Sequence, residues 1–326
     1  MRPGKISENV LKRSVLKQIH TKREEIVCGA GLGENCAVFT LPEGEFGLVS
    51  VHQTIVAGKN CTRFCIHKAV NNLAASGATP VAVELALLLP EEMQEPELRQ
   101  MMEQAEDTCN ELSVQLCGGS TKVSRVVKCP VATVTGIGHR TCKNIPKAKP
   151  GQDIVITKWI GLEGTSLLAR EKKEELIKRY PLRMINEACS FERMLSIVPE
   201  AATAMKSGIC RMHDASEGGI FGALWEFGRM SGVGLEIDLK KIPIRQETVE
   251  ICEFLELNPY ELLSGGSLIL ATDNGFDLVE ELAFKDIPAA VVGKVTENND
   301  RVVINEEERR FLELPKSDEI YKPEGY

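Results

Sequence analysis

Two stretches of the chain carry residue types that suggest chemistry. The first is Asn71-Asn72, a polar pair inside a segment with helical apolar spacing. Asparagine is a weak helix-interior residue, and its short carboxamide offers donors and an acceptor together. The pair therefore reads as a site. The second is Asp214-Ala215-Ser216-Glu217-Gly218-Gly219, which runs straight into an amphipathic helix carrying Ile220, Leu224, Phe227 and Met230. An acid and a hydroxyl before paired glycines serve either as an N-cap or, with the free amides of a helix start, as an anion site. A looser glycine-rich approach, Gly29, Gly31 and Gly33, precedes a short strand. It is neither a P-loop nor a G-x-G-x-x-G that opens a helix, so a turn is the simpler reading.

Soft-metal and nucleophile readings are weaker. Cys61, Cys65 and His67, with His52 upstream, tempt toward a metal, but at ~100° per residue His67 lies about 200° round the helix from Cys65. Core thiols are the better reading. Cys210 and His213 precede Asp214 and would suit a nucleophile and base; an inward-packed cysteine is simpler. Trp159 and Trp225 read as core residues.

The elements that must position these groups follow from periodicity. Cys61, Cys65, Ala69 and Leu73, flanked by Ile66, Val70 and Ala74, make a helix that Gly77 stops, and Val81 to Leu89 is a buried strand. His52 falls where the strand Phe46 to Val51 ends. A helix is expected over Ser7 to Thr21, a short strand over Cys36 to Leu41, and an amphipathic helix over Pro96 to Leu112. Val114 to Cys117 is a short strand leading to Gly118-Gly119-Ser120-Thr121-Lys122, and Cys129 to Ile137 is another strand. Alternating strands and helices imply α/β layers. Arg140 to Gly151, with two prolines and four basic residues, is the linker candidate, placing the domains at 1–148 and 149–326. The second half has strands at 153–160, 234–237, 267–272 and 289–295, and helices at 187–205, 246–255 and 276–284. Arg170 to Arg179 reads as a solvated helix face, and the tail SDEIYKPEGY as irregular.

Bulk properties exclude several classes. A net charge of −8 over 326 residues gives no general nucleic-acid footprint. No apolar run approaches the ~20 residues of a membrane span, and the basic opening lacks a signal-peptide core, so a soluble cytoplasmic protein is expected. Eleven cysteines without C-x-x-C pairing read as reduced, buried thiols.

Five segments together resemble the AIR synthase-related superfamily: G-E-N-C-A-V at Gly33 to Val38, V-N-N-L-A-A-S-G-A at Val70 to Ala78, G-G-S-T-K-V at Gly118 to Val123, G-Q-D-I-V-I-T-K-W-I-G-L-E-G-T at Gly151 to Thr165, and D-A-S-E-G-G at Asp214 to Gly219. Nearly the whole chain is covered. SGVGLEIDLKKIPI followed by LLSGGSL is most similar to the HypE hydrogenase-maturation branch. The resemblance implies an α/β (α+β), PurM-like two-domain fold, with an N-terminal domain that forms a β-barrel across a homodimer. It further implies ATP and magnesium in a cleft between the domains, and a maturation-type protein partner. By motif position the binding residues would be Asn35, His52, Asn72, Gly118, Gly119, Ser120, Thr121, Lys122, Asp214, Ser216, Gly218 and Gly219.

The departures fall on those same positions. Asn35, His52 and Asn72 stand where relatives place acids, and Ser120 where they place Asp or His. Magnesium beside a triphosphate is held by one or two carboxylates, and each buried charged partner lost costs a few kcal/mol. The expected site is therefore a degenerate Mg-ATP site that binds a nucleotide or small anion with weak or no ATPase activity. The alternatives are an active phosphoryl-transfer enzyme with altered metal ligation and a dimeric scaffold. The sequence ends Glu324-Gly325-Tyr326, without the terminal cysteine that the cyanide-forming reaction of HypE implies, so that reaction is not expected.

Overall fold

In the computed structural model, residues 4–5, 7–31, 38–54, 60–143, 145–207 and 211–322 are described. The chain divides into two compact units, Met1–Ala74 with Ala78–Lys143, and Ala75–Gly77 with Asn144–Tyr326. Among the described residues no helix is long and apolar enough to cross a membrane.

The first unit contains β1 (Gly4–Lys5), β2 (Ile26–Cys28), β3 (Val38–Phe39), β4 (Phe46–Gln53), α1 (Cys61–Ala75), β5 (Thr79–Leu89), α2 (Glu95–Glu111), β6 (Gln115–Val123) and β7 (Val131–Arg140). Five strands form one sheet in the order β1-β6-β5-β7-β4, and β2 pairs with β3 separately. Only β5 and β6 run parallel in that sheet. The helix α2 starts on a capping box, with the Gln94 amide donating to Glu97 Oε2 at 2.9 Å. It buries Leu98, Met101, Met102, Ala105 and Cys109. Close packing of α1 on the sheet depends on Gly136 of β7, where a Cβ would lie 3.1 Å from the Ala69 carbonyl oxygen.

Two local expectations change. The N-terminal helix breaks into an α turn at Glu8–Val10, a π turn at Leu11–Val15 and a 3-10 turn at Leu16–Gln18. Its polar groups are claimed by α2: Ser14 Oγ donates to Glu95 at 2.6 Å, and the His20 amide donates to Glu106 Oε1 at 2.9 Å. Side-chain anchors replace the helical ladder there. The Gly118 to Lys122 stretch does not follow a short strand but lies inside β6. Gly119, at φ +142°, sits so close to β5 that a Cβ would be 1.9 Å from the Leu85 carbonyl oxygen. Only glycine fits that approach.

The second unit contains β8 (Asp153–Thr157), α3 (Leu162–Glu171), α4 (Leu182–Ser190), α5 (Val198–Lys206), β9 (Arg211–Asp214), α6 (Gly219–Ser231), β10 (Gly234–Asp238), α7 (Gln246–Phe254), β11 (Leu268–Thr272), α8 (Gly275–Ala283), β12 (Ala289–Thr296), β13 (Arg301–Asn305) and β14 (Glu308–Phe311). Its seven-stranded sheet runs β14-β13-β10-β12-β8-β11-β9. The central strands β8 and β11 are buried at every residue, which is why they read as continuous apolar runs. The core gathers Ile154, Ile156, Ile220, Leu224, Phe227 and Ile237. The single helix expected over Glu187 to Met205 is two helices. Pro199 fits the first turn of α5, and the carbonyls of Met194 and Ser196 leave helical geometry to accept from Lys158 Nζ at 2.9 and 2.5 Å.

The described part of the tail, up to residue 322, is not irregular throughout: Asp318, Glu319 and Ile320 are buried, with a 3-10 turn at Glu319–Tyr321. The described cysteines are free thiols, but Cys28, Cys129, Cys142 and Cys189 are only half-buried.

Candidate functional site

The predicted residues of the first unit divide between the two faces of its sheet. Residues opposite one another across a ladder share a face. His52 lies level with Val134, Leu85 and Gly119, on the face that α1 covers. Val51 lies level with Thr135, Glu84 and Gly118 on the open face, where Val49 and Val51 are 68% and 57% exposed. Ser120 and Lys122 fall on the open face, level with Ala86 and Leu88, and are exposed. Thr121 is buried on the covered face. His52, Asn72 and Thr121 are thus on one side, and Ser120 and Lys122 on the other. Asn35 lies outside the described residues.

On the covered face α1 crosses β4 as a row of polar pairs. Thr54 Oγ1 meets Cys65 Sγ at 3.6 Å, and the Asn72 amide Nδ2 donates to Ser50 Oγ at 3.1 Å. Between them lies His52, which feels the charge of Lys68. Lys68 and Asn72 are one helical turn apart, and Ser50 and His52 are two residues apart on the strand, so the spacings match. Lys68 and Asn71 are buried, and His52 Nε2 is buried without a hydrogen-bond partner among the described residues. Burial and, secondarily, the Lys68 ammonium bring the His52 imidazole down to about 4 from its ordinary value near 6.5. His52 is therefore neutral at physiological pH.

A pH dependence follows with a definite sign. Between pH 6.5 and about 4 the unfolded chain takes up a proton at His52 that the folded protein refuses. Stability is therefore present above that window and is lost as pH falls through it. Removing the group with His52→Gln flattens the slope of unfolding free energy against pH over this range. Urea titrations of both proteins at several pH values check it, and parallel slopes would refute it.

In the second unit, Asp214, Ser216, Gly218 and Gly219 are brought together in the turn from β9 to α6. Asp214 closes β9, the Ser264 amide donates to the Ser216 carbonyl at 3.1 Å, and Gly219, at φ +64°, leaves a Cβ only 2.5 Å from the Tyr260 carbonyl oxygen. The N-cap of α6 is Gly218, at φ +81°, with no side-chain cap bond, so neither Asp214 nor Ser216 caps the helix. The Gly218 amide instead donates to Asp318 Oδ2 at 2.7 Å. Asp318 Oδ1 accepts from the amides of Leu263 at 3.1 Å and Ile320 at 2.8 Å. A carboxylate from the chain's own tail occupies the amide that the motif offered to an anion.

Both units match family models, the AIR synthase related protein N-terminal domain over residues 33–139 and the C-terminal domain over residues 149–305. The chain belongs to the AIR synthase related family. A hydrogenase expression/formation protein of Methanocaldococcus jannaschii is 26% identical, over 97% of this chain and 96% of that protein. Carbamoyl dehydratase HypE of Cupriavidus necator is 26% identical, over 73% of this chain and 68% of its own length. A crystal structure of the hydrogenase maturation protein HypE in complex with ATP shares the fold at a TM-score of 0.77 and 18% identity, covering 96% of this chain and 95% of that one.

Within this AIR synthase related frame, sequence reasoning missed two residues. Lys68 carried a signal, since a lysine four residues before Asn72 interrupts the helix's apolar stripe. Asp318 carried none, because nothing local tells that it reaches across 100 residues to Gly218.

Proposed function

We propose that this is a HypE-like member of the AIR synthase related family whose ancestral Mg-ATP site is degenerate, binding a nucleotide or small anion without catalysing efficient phosphoryl transfer. The observation that carries the reading is the buried Lys68 ammonium beside His52. Magnesium wants anionic oxygen ligands in octahedral array. A neutral imidazole, an ammonium and a carboxamide already donating to Ser50 do not fit that ion. They suit an anion approached directly, with Lys68 as the charge and Asn72 as a polar contact. ATP is the natural candidate, because a HypE relative of the same fold is known with ATP.

The open face of the first sheet supports the dimer part of the reading. Val49 and Val51 expose apolar surface on the edge strand β4, as expected of a strand that another copy covers to close a barrel. A HypE relative of the same fold is known in complex with HypF, which makes a maturation-type protein the expected partner class.

Calorimetric titration of ATP, with and without magnesium, tests the assignment. The expected result is weak binding that magnesium does not strengthen. Tight, strictly metal-dependent binding would overturn it in favour of an active enzyme, and no binding in either condition would leave the scaffold. The variant carrying Asn35→Asp, His52→Asp and Asn72→Asp together is expected to gain magnesium-dependent affinity.

A further inference from the structure

An arginine cluster in the second unit lies outside everything assigned so far. Trp225 on α6 has two guanidinium carbons, from Arg229 and from Arg301 of β13, each 5.2 Å from its ring centroid. Both tryptophans prove half-buried under arginines, for Arg245 likewise stands 5.0 Å from Trp159. One turn before Trp225, the Arg310 guanidinium from β14 lies 5.7 Å from the Phe221 ring centroid. Arg211, at the start of β9, donates to Met230 Sδ at 3.4 Å beside them.

What distinguishes the cluster is its missing counterions. Among the described residues Arg229, Arg301 and Arg310 form no ion pair. The neighbouring carboxylates are engaged elsewhere: Glu226 with His213 Nε2 at 3.0 Å, and Glu236 with Arg309 at 3.8 Å. Arg301 Nε is buried without a hydrogen-bond partner among the described residues. Its stem fills the space left by Gly228, where a Cβ would come within 2.6 Å of it. Burial and the Arg229 charge push the Arg301 guanidinium down from its ordinary value. In a chain of net charge −8, uncompensated cations are held together by aromatic faces, and an arriving anion relieves their repulsion.

We infer that this seam between α6 and the β13–β14 hairpin binds a carboxylate-rich segment of a protein partner. The spread of the cations selects this class. The rings that hold the cations, Phe221 with Arg310 and Trp225 with Arg229 and Arg301, are one helical turn apart, about 6 Å along the axis at 1.5 Å per residue. That spacing matches alternate side chains along an extended strand at ~3.3 Å per residue. Arginine pairs such carboxylates bidentately. The inference does not depend on the nucleotide site of the first unit.

The probe is a fluorescein-labelled Glu/Gly peptide of about twelve residues, followed by anisotropy with the full chain at about 50 mM salt. Binding is expected, with Arg229→Gln, Arg301→Gln and Arg310→Gln each weakening it about five-fold. Arg179→Gln, on Tyr180 away from the seam, leaves it unchanged. Circular dichroism checks folding, and Arg301→Lys replaces Arg301→Gln if the latter unfolds. Absence of binding by the folded parent, or equal binding by the triple Arg→Gln variant, overturns the inference. Full displacement of the peptide by low-millimolar inorganic phosphate also overturns it, because that would make the seam a small-anion site.

Discussion

Lys158→Met is expected to destabilise the protein by about 3–5 kcal/mol, the largest single-residue effect predicted here. Lys158 Nζ stands 2.5 Å from Glu200 Oε1, with both side chains buried, and also donates to the Met194 and Ser196 carbonyls. Burial draws the ammonium's pKa down while Glu200 opposes the shift. Removing the cation strands Glu200, whose Oε2 already lacks a partner among the described residues, as a bare charge in the interior. It also releases the two carbonyls that define the break between α4 and α5. Because the cost comes mainly from the abandoned carboxylate, Lys158→Met with Glu200→Met is expected to recover much of it. Urea unfolding of the parent, the two single variants and the double variant completes the cycle. A Lys158→Met loss below about 1 kcal/mol would mean that the pair is solvated, contrary to its burial.

The second large effect belongs to the tail. Asp318→Ala leaves three amides, those of Gly218, Leu263 and Ile320, without their acceptor. Hydrogen bonds to a charged group contribute more than neutral ones, and a buried donor left unmade adds its desolvation cost. A loss of about 3 kcal/mol is expected. It should be local, because other bonds hold the segment: the Asn258 amide donates to Glu319 Oε2 at 3.2 Å, and Tyr321 donates to Glu217 Oε1 at 3.1 Å. Hydrogen exchange therefore gives the sharper readout. Faster exchange at Gly218 and Leu263, with β8 and β11 unchanged, is the expected pattern. Unchanged exchange at Gly218 would show that Asp318 is not its acceptor in solution. The same substitution vacates the amide at the start of α6, so any anion affinity that the Asp214 to Gly219 motif retains is expected to rise in this variant.

Regular elements were legible where a repeated local signal specifies them. The apolar stripe of α1, the amphipathic spacing of α2 and the apolar runs of β8 and β11 each encode their state within a few residues. Misreadings occurred where distant groups compete for local polar atoms. Glu95 and Glu106 claim the N-terminal segment, and Lys158 claims the carbonyls between α4 and α5. The expected strand stopped at Cys117, ahead of the glycines, because glycine weakens a strand. The cause of Gly119, the approach of the Leu85 carbonyl, lies on another strand.

For the candidate site, the sequence by itself determined which groups are present: a histidine at the end of β4, an asparagine pair in α1, and a glycine motif at the start of α6. Tertiary structure alone decided their electrical state and occupancy. A pKa depends on what surrounds a group, and only the crossing of α1 over β4 buries His52 and sets Lys68 beside it, which together hold that imidazole neutral. An amide's availability depends on who reaches it, and only the folding back of the tail gives Gly218 to Asp318. Both are properties of neighbours separated along the chain, and local spacing carries no record of them.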